Sequence, residues 1–146
     1  MKDWETAFEC FCKMAKENKI DFYLIGSITA AIRGVNIIPN DIDIIVDICD
    51  FWRARDLFEA FIIEPFSEYS KNDVVRFFGK ISINNIVIDI SAKPKNIYGC
   101  HTIEMLCWNG YILKSQTLEL LLKVYKKNNR LEYVKAIEDY MAAFTV

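Results

Sequence analysis

Residues 41–47 read DIDIIVD, and this septet constrains the chain more than any other stretch. Successive residues of a strand point to opposite faces. Ile42 and Ile44 therefore turn into a core, while Asp41 and Asp43 stand side by side on the other face. Two like charges this close repel and raise each other's pKa. Something positive has to hold them, and a divalent cation is the obvious candidate. Upstream, the apolar run "DFYLI" stops at Gly26-Ser27, where a strand hands over to a helix. Glycine lets the backbone approach a ligand closely, and the first amides of a helix face outward with the positive end of its dipole. That combination is a small phosphate cradle.

The 146 residues are enough for one ordinary domain, and 53% of them are hydrophobic, so a sizeable core can form. The net charge of −2 gives no global attraction for nucleic acid, which is not an expected partner. No apolar run approaches the ~18 residues of a membrane span, and the opening "MKDWETAFECFCKMAKENK" is too charged for a signal peptide. Five cysteines, odd in number and unevenly spaced, fit buried thiols in a reducing cytoplasm better than a disulfide framework. The expectation is a small cytoplasmic protein without membrane association.

Trp4, Phe8, Phe11, Cys12 and Ala15 recur at helical spacing and predict an amphipathic helix over 2–18. A strand over 21–25, a short helix "ITAAIR" closed by Gly34, and the strand over 41–47 follow. Asp50 reads as the N-cap of a helix "FWRARDLFEAF" that ends before Pro65. "DVVRFFGKISI", the Asn84-Asn85 turn and "IVIDIS" form a hairpin. After a loop over 92–102, "EMLCW" and "YILK" flank a second turn at Asn109-Gly110. Ser115 is a candidate cap for the helix "TLELLLKVYKKN", and "LEYVKAIEDYMAAF" closes the chain. This order of elements suits an α+β domain with a mixed sheet.

A third carboxylate, Asp89, interrupts the apolar strand "IVIDI", where an unpaired charge is costly. Three strand-borne carboxylates facing a phosphate cradle are what two-metal phosphoryl or nucleotidyl transfer needs, one ion activating the attacking oxygen and the other steadying the leaving pyrophosphate. Bland readings stand beside these. The acids could pair with lysines, Asp47 could be a solvated turn residue, and Ser27 could merely cap its helix. Lys123, Lys126, Lys127 and Arg130 have the spacing of a solvated helix face; Lys123, set in "LLLKVY", is also a candidate triphosphate contact. Arg33 reads equally as a phosphate contact or a surface residue. Cys100, His101 and Cys107 lack a fourth zinc ligand at suitable spacing, so no zinc site is expected. Aromatics in "CDFWRARDLFEAF" serve either core packing or a homodimer.

The ordered set "GSITAAIRGVNIIPNDIDIIVD" plus the strand acid in "FGKISINNIVIDI" resembles the signature of polymerase-beta-like nucleotidyltransferases. With the terminal "LELLLKVYKKNNRLEYVKAIEDYM", it resembles their small stand-alone bacterial members over roughly residues 21–141. The resemblance implies that fold, with a mixed sheet, flanking helices, a core over 1–114 and a C-terminal helix pair over 115–146. It implies Mg²⁺-dependent transfer of a nucleoside monophosphate from a nucleoside triphosphate, ATP foremost, to a hydroxyl on a small molecule or a protein side chain. Gly26 and Ser27 would hold the triphosphate. Asp41, Asp43 and Asp89 would hold two Mg²⁺ ions, with Asp89 also the base toward the acceptor. The sequence departs from relatives that carry a basic residue just before Asp-x-Asp, having Ile37 and Ile38 there, and of their Arg-x-Lys-Asp pattern only Arg130 survives clearly. The competing expectation is a catalytically silent module that binds a nucleotide or a partner protein, as one half of a two-protein system.

Overall fold

The computed structural model describes residues 2–94 and 103–144. Helix α1 (Asp3–Glu17) leads into strand β1 (Phe22–Ile25), helix α2 (Ser27–Ala31) and strand β2 (Asp41–Asp47). Helix α3 (Phe51–Leu57) precedes three antiparallel-linked strands, β3 (Ile62–Lys71), β4 (Val74–Ile83) and β5 (Ile86–Lys93). Strands β6 (Ile103–Trp108) and β7 (Tyr111–Gln116) then feed helices α4 (Leu118–Lys127) and α5 (Leu131–Ala143). All seven strands form one sheet in the order β3-β4-β5-β2-β1-β7-β6. It is mixed, because β2 runs parallel to β5 and β1 parallel to β7, while the other neighbours are antiparallel.

The sheet sorts its residues by period two. Ile42, Ile44 and Val46 of β2, Ile88 and Ile90 of β5, and Ile81 and Ile83 of β4 are buried in one cluster. Helix α1 closes that cluster with Trp4, Ala7, Phe8, Phe11, Cys12 and Ala15, the spacing read from the sequence, and α3 adds Phe51 and Ala54, with Phe58 just past its end. Fully burying a large apolar side chain is worth about 1.5–3 kcal/mol, so this face carries most of the hydrophobic stabilisation. The odd-numbered residues of β2, Asp41 and Asp43 among them, are left on the opposite face. A second cluster joins Ala30, Val35 and Ile37 around α2 to Leu118, Leu121 and Tyr125 of α4 and to Val134 and Ile137 of α5. It fixes α2, and with it the Gly26-Ser27 elbow, to the C-terminal helix pair.

Several expectations change. The sequence pattern predicts no element between the third helix and the "DVVRFFGKISI" strand, yet β3 is a full edge strand there and includes Pro65. Its ladder with β4 shifts register between Ile62 and Glu64 and again between Glu64 and Ser67. Proline has no N–H to give a ladder, so it is tolerated at an edge beside such irregularities. Phe66 then drops its ring onto Gly79, where a Cβ would lie 2.2 Å from the ring. Asn72-Asp73 is a third tight turn, with φ of 52° and 61°, matching Asn84-Asn85 and Asn109-Gly110. Helix α3 ends at Leu57, short of the expected end, and a 3₁₀ turn over Glu59–Phe61 replaces its last part. Asp50 does not cap it; its carboxylate pairs with Arg53 and accepts from the Asp21 amide. Asp47 is a capping residue, accepting from the Cys49 amide at 3.2 Å. Ser115 ends up inside β7, and Thr117 caps α4 through the Leu120 amide. No helix among the described residues is long and apolar enough to cross a membrane. Cys100 and His101 lie outside the described residues.

Candidate active site

Strand register gathers the acids. In the parallel β2–β5 ladder Asp43 stands directly beside Asp89, and Asp41 two residues away stands beside Val87. On the other flank Asp43 faces Ile25, the last residue of β1 before the elbow. The three carboxylates thus project from one face of two adjacent strands.

Gly26 closes over Asp43. Its φ is +75°, and a Cβ added there would lie 2.6 Å from Asp43 Oδ2. Any side chain would meet both a left-handed backbone and the carboxylate, so glycine is required here for two reasons. The Gly26 amide donates to Gln116 Oε1 at 3.1 Å, and its carbonyl accepts from the Thr29 amide at 3.0 Å and the Thr29 hydroxyl at 2.6 Å. Ser27 opens α2 half-buried, and only its amide and that of Ile28 precede the first bond of the helix. With five residues α2 is short, so an anion at this elbow would meet local amides more than a helix dipole.

The electrostatics are unbalanced. Burial pushes the Asp43 carboxyl up to about 7, Asp89 and Asp41 add to the rise, and only Lys80 opposes it. Asp89 is raised as well, by burial first, with Lys80 pulling it back. Asp89 Oδ1 is buried without a hydrogen-bond partner. A cation brought to these oxygens would relieve each of these costs, and hard carboxylate oxygens suit Mg²⁺. Among the described residues no three His, Cys, Asp or Glu side chains form a ready-made metal cage. Mg²⁺ does not need one, since it typically keeps waters and takes one or two carboxylates plus substrate phosphates.

No protein-family model and no curated protein sequence matches this chain. Solved structures do match. A Thermotoga maritima protein with a provisional nucleotidyltransferase assignment is similar at a TM-score of 0.70 and 18% identity, over 97% of this chain and 94% of the other. The lincosamide antibiotic adenylyltransferase LnuA, with lincomycin bound, is similar at 0.67 and 12% identity, over 92% of this chain and 96% of its own. ANT(2″)-Ia, in complex with adenylyl-2″-tobramycin, is similar at 0.64 and 10% identity, over 97% of this chain and 91% of its own. The chain has the nucleotidyltransferase fold. The resemblance read from Gly-Ser, Asp-x-Asp and the strand aspartate holds at the level of that fold.

Within the nucleotidyltransferase fold, Lys123 is exposed on α4, and the charged neighbours that bear on Asp43 are Asp89, Asp41 and Lys80. Tyr125, on the buried side of α4, does feel Asp43; its phenol is pushed up to about 12, by burial first, then by Tyr133 and Asp43, with Arg130 opposing. Arg33 is not a surface residue: its side chain is 8% exposed and pairs with Glu104. It also donates to Thr29 O at 2.6 Å, Ser115 Oγ at 3.1 Å and Gln116 O at 3.1 Å. Sequence reasoning missed Lys80 and Gln116. The signal for Lys80 was present, because counting outward from the tight Asn84-Asn85 turn pairs Ile83 with Ile86 and Lys80 with Asp89. Gln116 sits 90 residues from Gly26, and no local pattern links them.

Proposed function

We propose that this protein is a nucleotidyltransferase that moves a nucleoside monophosphate from a Mg²⁺-bound triphosphate, with ATP the first candidate, to a hydroxyl of a small molecule. The observation that carries the reading is Asp43 held between Asp89 and a glycine that no side chain could replace. Asp41, Asp43 and Asp89 would hold the divalent metal, which supplies charge neutralisation for the phosphates. Gly26 leaves room for the triphosphate to lie against the backbone, and the Ser27 and Ile28 amides are positioned to donate to it. Asp89, as a carboxylate, accepts the proton of the acceptor hydroxyl. The oxygen bonds to the α-phosphorus as the bridge to the β-phosphate breaks, and pyrophosphate leaves with the electron pair. LnuA and ANT(2″)-Ia, whose structures hold lincomycin and adenylyl-2″-tobramycin, favour a small hydroxylated acceptor over a protein side chain.

The test is calorimetric titration with each nucleoside triphosphate, with and without Mg²⁺, on wild type and on an Asp41→Asn, Asp43→Asn double variant. Pyrophosphate release is then assayed against a panel of hydroxylated small molecules. Metal-dependent binding that vanishes in the variant, followed by turnover, is the expected result. Binding that ignores the double substitution would sink the assignment. Metal-dependent binding without pyrophosphate release from any acceptor would point to a silent nucleotide-binding module.

A further inference from the structure

Asp89 has neighbours of opposite sign on its two sides. Asp43 lies beside it on β2, and Lys80 lies opposite it on β4. Glu64 on β3 pairs with Lys80 in turn, so Asp43, Asp89, Lys80 and Glu64 form one row across four strands. Lys80 Nζ stands 3.7 Å from Asp89 Oδ1, within ion-pair range but too far for a hydrogen bond. Asp89 Oδ1 is the same buried oxygen that no donor satisfies. The contact is therefore held by charge alone. The Lys80 side chain is 35% exposed on a flexible stem, so it can leave Asp89 at small cost.

We propose that Lys80 is the resident counter-cation of this site, occupying Asp89 in the nucleotide-free protein so that a divalent cation binds tightly only together with the triphosphate. The inference rests on the assignment of the three aspartates as metal ligands. A bare cation entering beside Asp43 and Asp89 must sit close to an ammonium group, and that repulsion lowers its affinity. A triphosphate brings negative charge of its own, which offsets the repulsion and gives Lys80 a second anionic partner. Lys80 thereby couples metal binding to nucleotide binding.

The test uses Mn²⁺ as probe, following the free-ion electron paramagnetic resonance signal with the full chain, with and without a non-hydrolysable triphosphate analogue. Lys80→Met should take up Mn²⁺ alone about tenfold more tightly than wild type, a partly screened charge effect. Lys80→Arg, which keeps the charge, should match wild type. The analogue should strengthen Mn²⁺ uptake more in wild type than in Lys80→Met. Thermal melts check folding, with Lys80→Gln as the substitute should Lys80→Met fail to fold. Mn²⁺ uptake that is lost in Asp43→Asn but no tighter in the uncharged Lys80 variant overturns the role of Lys80 and leaves the metal site standing. Uptake equal in wild type and Asp43→Asn overturns both.

Discussion

Arg33 and Asp43 are both ionisable side chains withdrawn from water, and Gln116 touches the surroundings of each. Its backbone carbonyl accepts from Arg33, and its side-chain oxygen accepts from the Gly26 amide that packs over Asp43. The guanidinium side is largely complete: Glu104 balances its charge, and with Thr29 O, Ser115 Oγ and Gln116 O it meets both terminal nitrogens. The carboxylate side is not. Lys80 lies 3.7 Å from Asp89 alone, a buried Asp89 oxygen has no hydrogen-bond donor, and Asp43 is raised to about 7. Burying a polar group costs little when every proton and lone pair is met, and several kcal/mol when it is not. The chain satisfies the charge that holds the scaffold and leaves unsatisfied the charges that would receive a ligand. Perturbed, unpaired ionisable groups of this kind mark functional sites more often than structural ones.

If that contrast is right, substitutions on the two sides should fail in different ways. The largest effect belongs to the incomplete side. Asp43→Asn should lower pyrophosphate release about 10³-fold, because it weakens the hold on the cation that would neutralise the reacting phosphate, a loss on the scale of one electrostatic stabiliser, while the protein stays folded by circular dichroism. A variant with near-wild-type turnover would break the comparison outright. Next comes the complete side. Arg33→Met should cost about 2 kcal/mol in urea unfolding, since Thr29 O loses its guanidinium donor, Gln116 O keeps only the Ser115 hydroxyl, and Glu104 loses its counter-charge. Arg33→Lys should recover only part of it, because an ammonium cannot reproduce the guanidinium fork. If Arg33→Met keeps full stability yet abolishes nucleotide binding, Arg33 belongs to the site and not the scaffold.

What the sequence disclosed follows the same division. The acids were legible because period-two alternation in DIDIIVD and IVIDI leaves carboxylates no other face. The helix α1 and the two asparagine turns were legible for similar local reasons. Strand β3 was not, because Pro65 and the polar run around Glu64 and Glu68 erase the alternation that marks a strand, and its exposed edge position explains why they are tolerated. The Arg33 cluster was not legible either, since every partner but Thr29 lies 71 to 83 residues away and meets it only when β1 and β7 align. For Lys123, helical spacing could tell a face but not a neighbour.

Gly26→Ala sharpens the link between the two sides. The substitution strains a backbone at φ +75° and drives a methyl into Asp43, so about 1–2 kcal/mol of stability should go. Nucleotide affinity should fall about tenfold or more through the displaced elbow. Calorimetry on the folded fraction separates the two losses. Unchanged affinity would detach the elbow from phosphate binding.

The smallest effect is the most diagnostic, because its sign is opposite to the first. The folded site prefers Asp43 protonated, whereas in the unfolded chain it ionises near pH 4. Its contribution to stability is therefore full below about pH 4 and is lost as pH rises to about 7, with no further change above. Asp43→Asn cannot ionise and should escape that loss. In metal-free buffer the melting temperatures of the variant and wild type should coincide near pH 4 and diverge through pH 7, the variant ending a few °C higher, on the scale of about 1 kcal/mol after allowance for solvent screening. Saturating Mg²⁺ with nucleotide should narrow the gap by binding only the folded wild type. A residue that abolishes turnover when replaced and stabilises the empty protein by the same replacement is one retained for its ligand. A variant less stable than wild type at pH 8 would instead make Asp43 part of the scaffold, and the contrast with Arg33 would collapse.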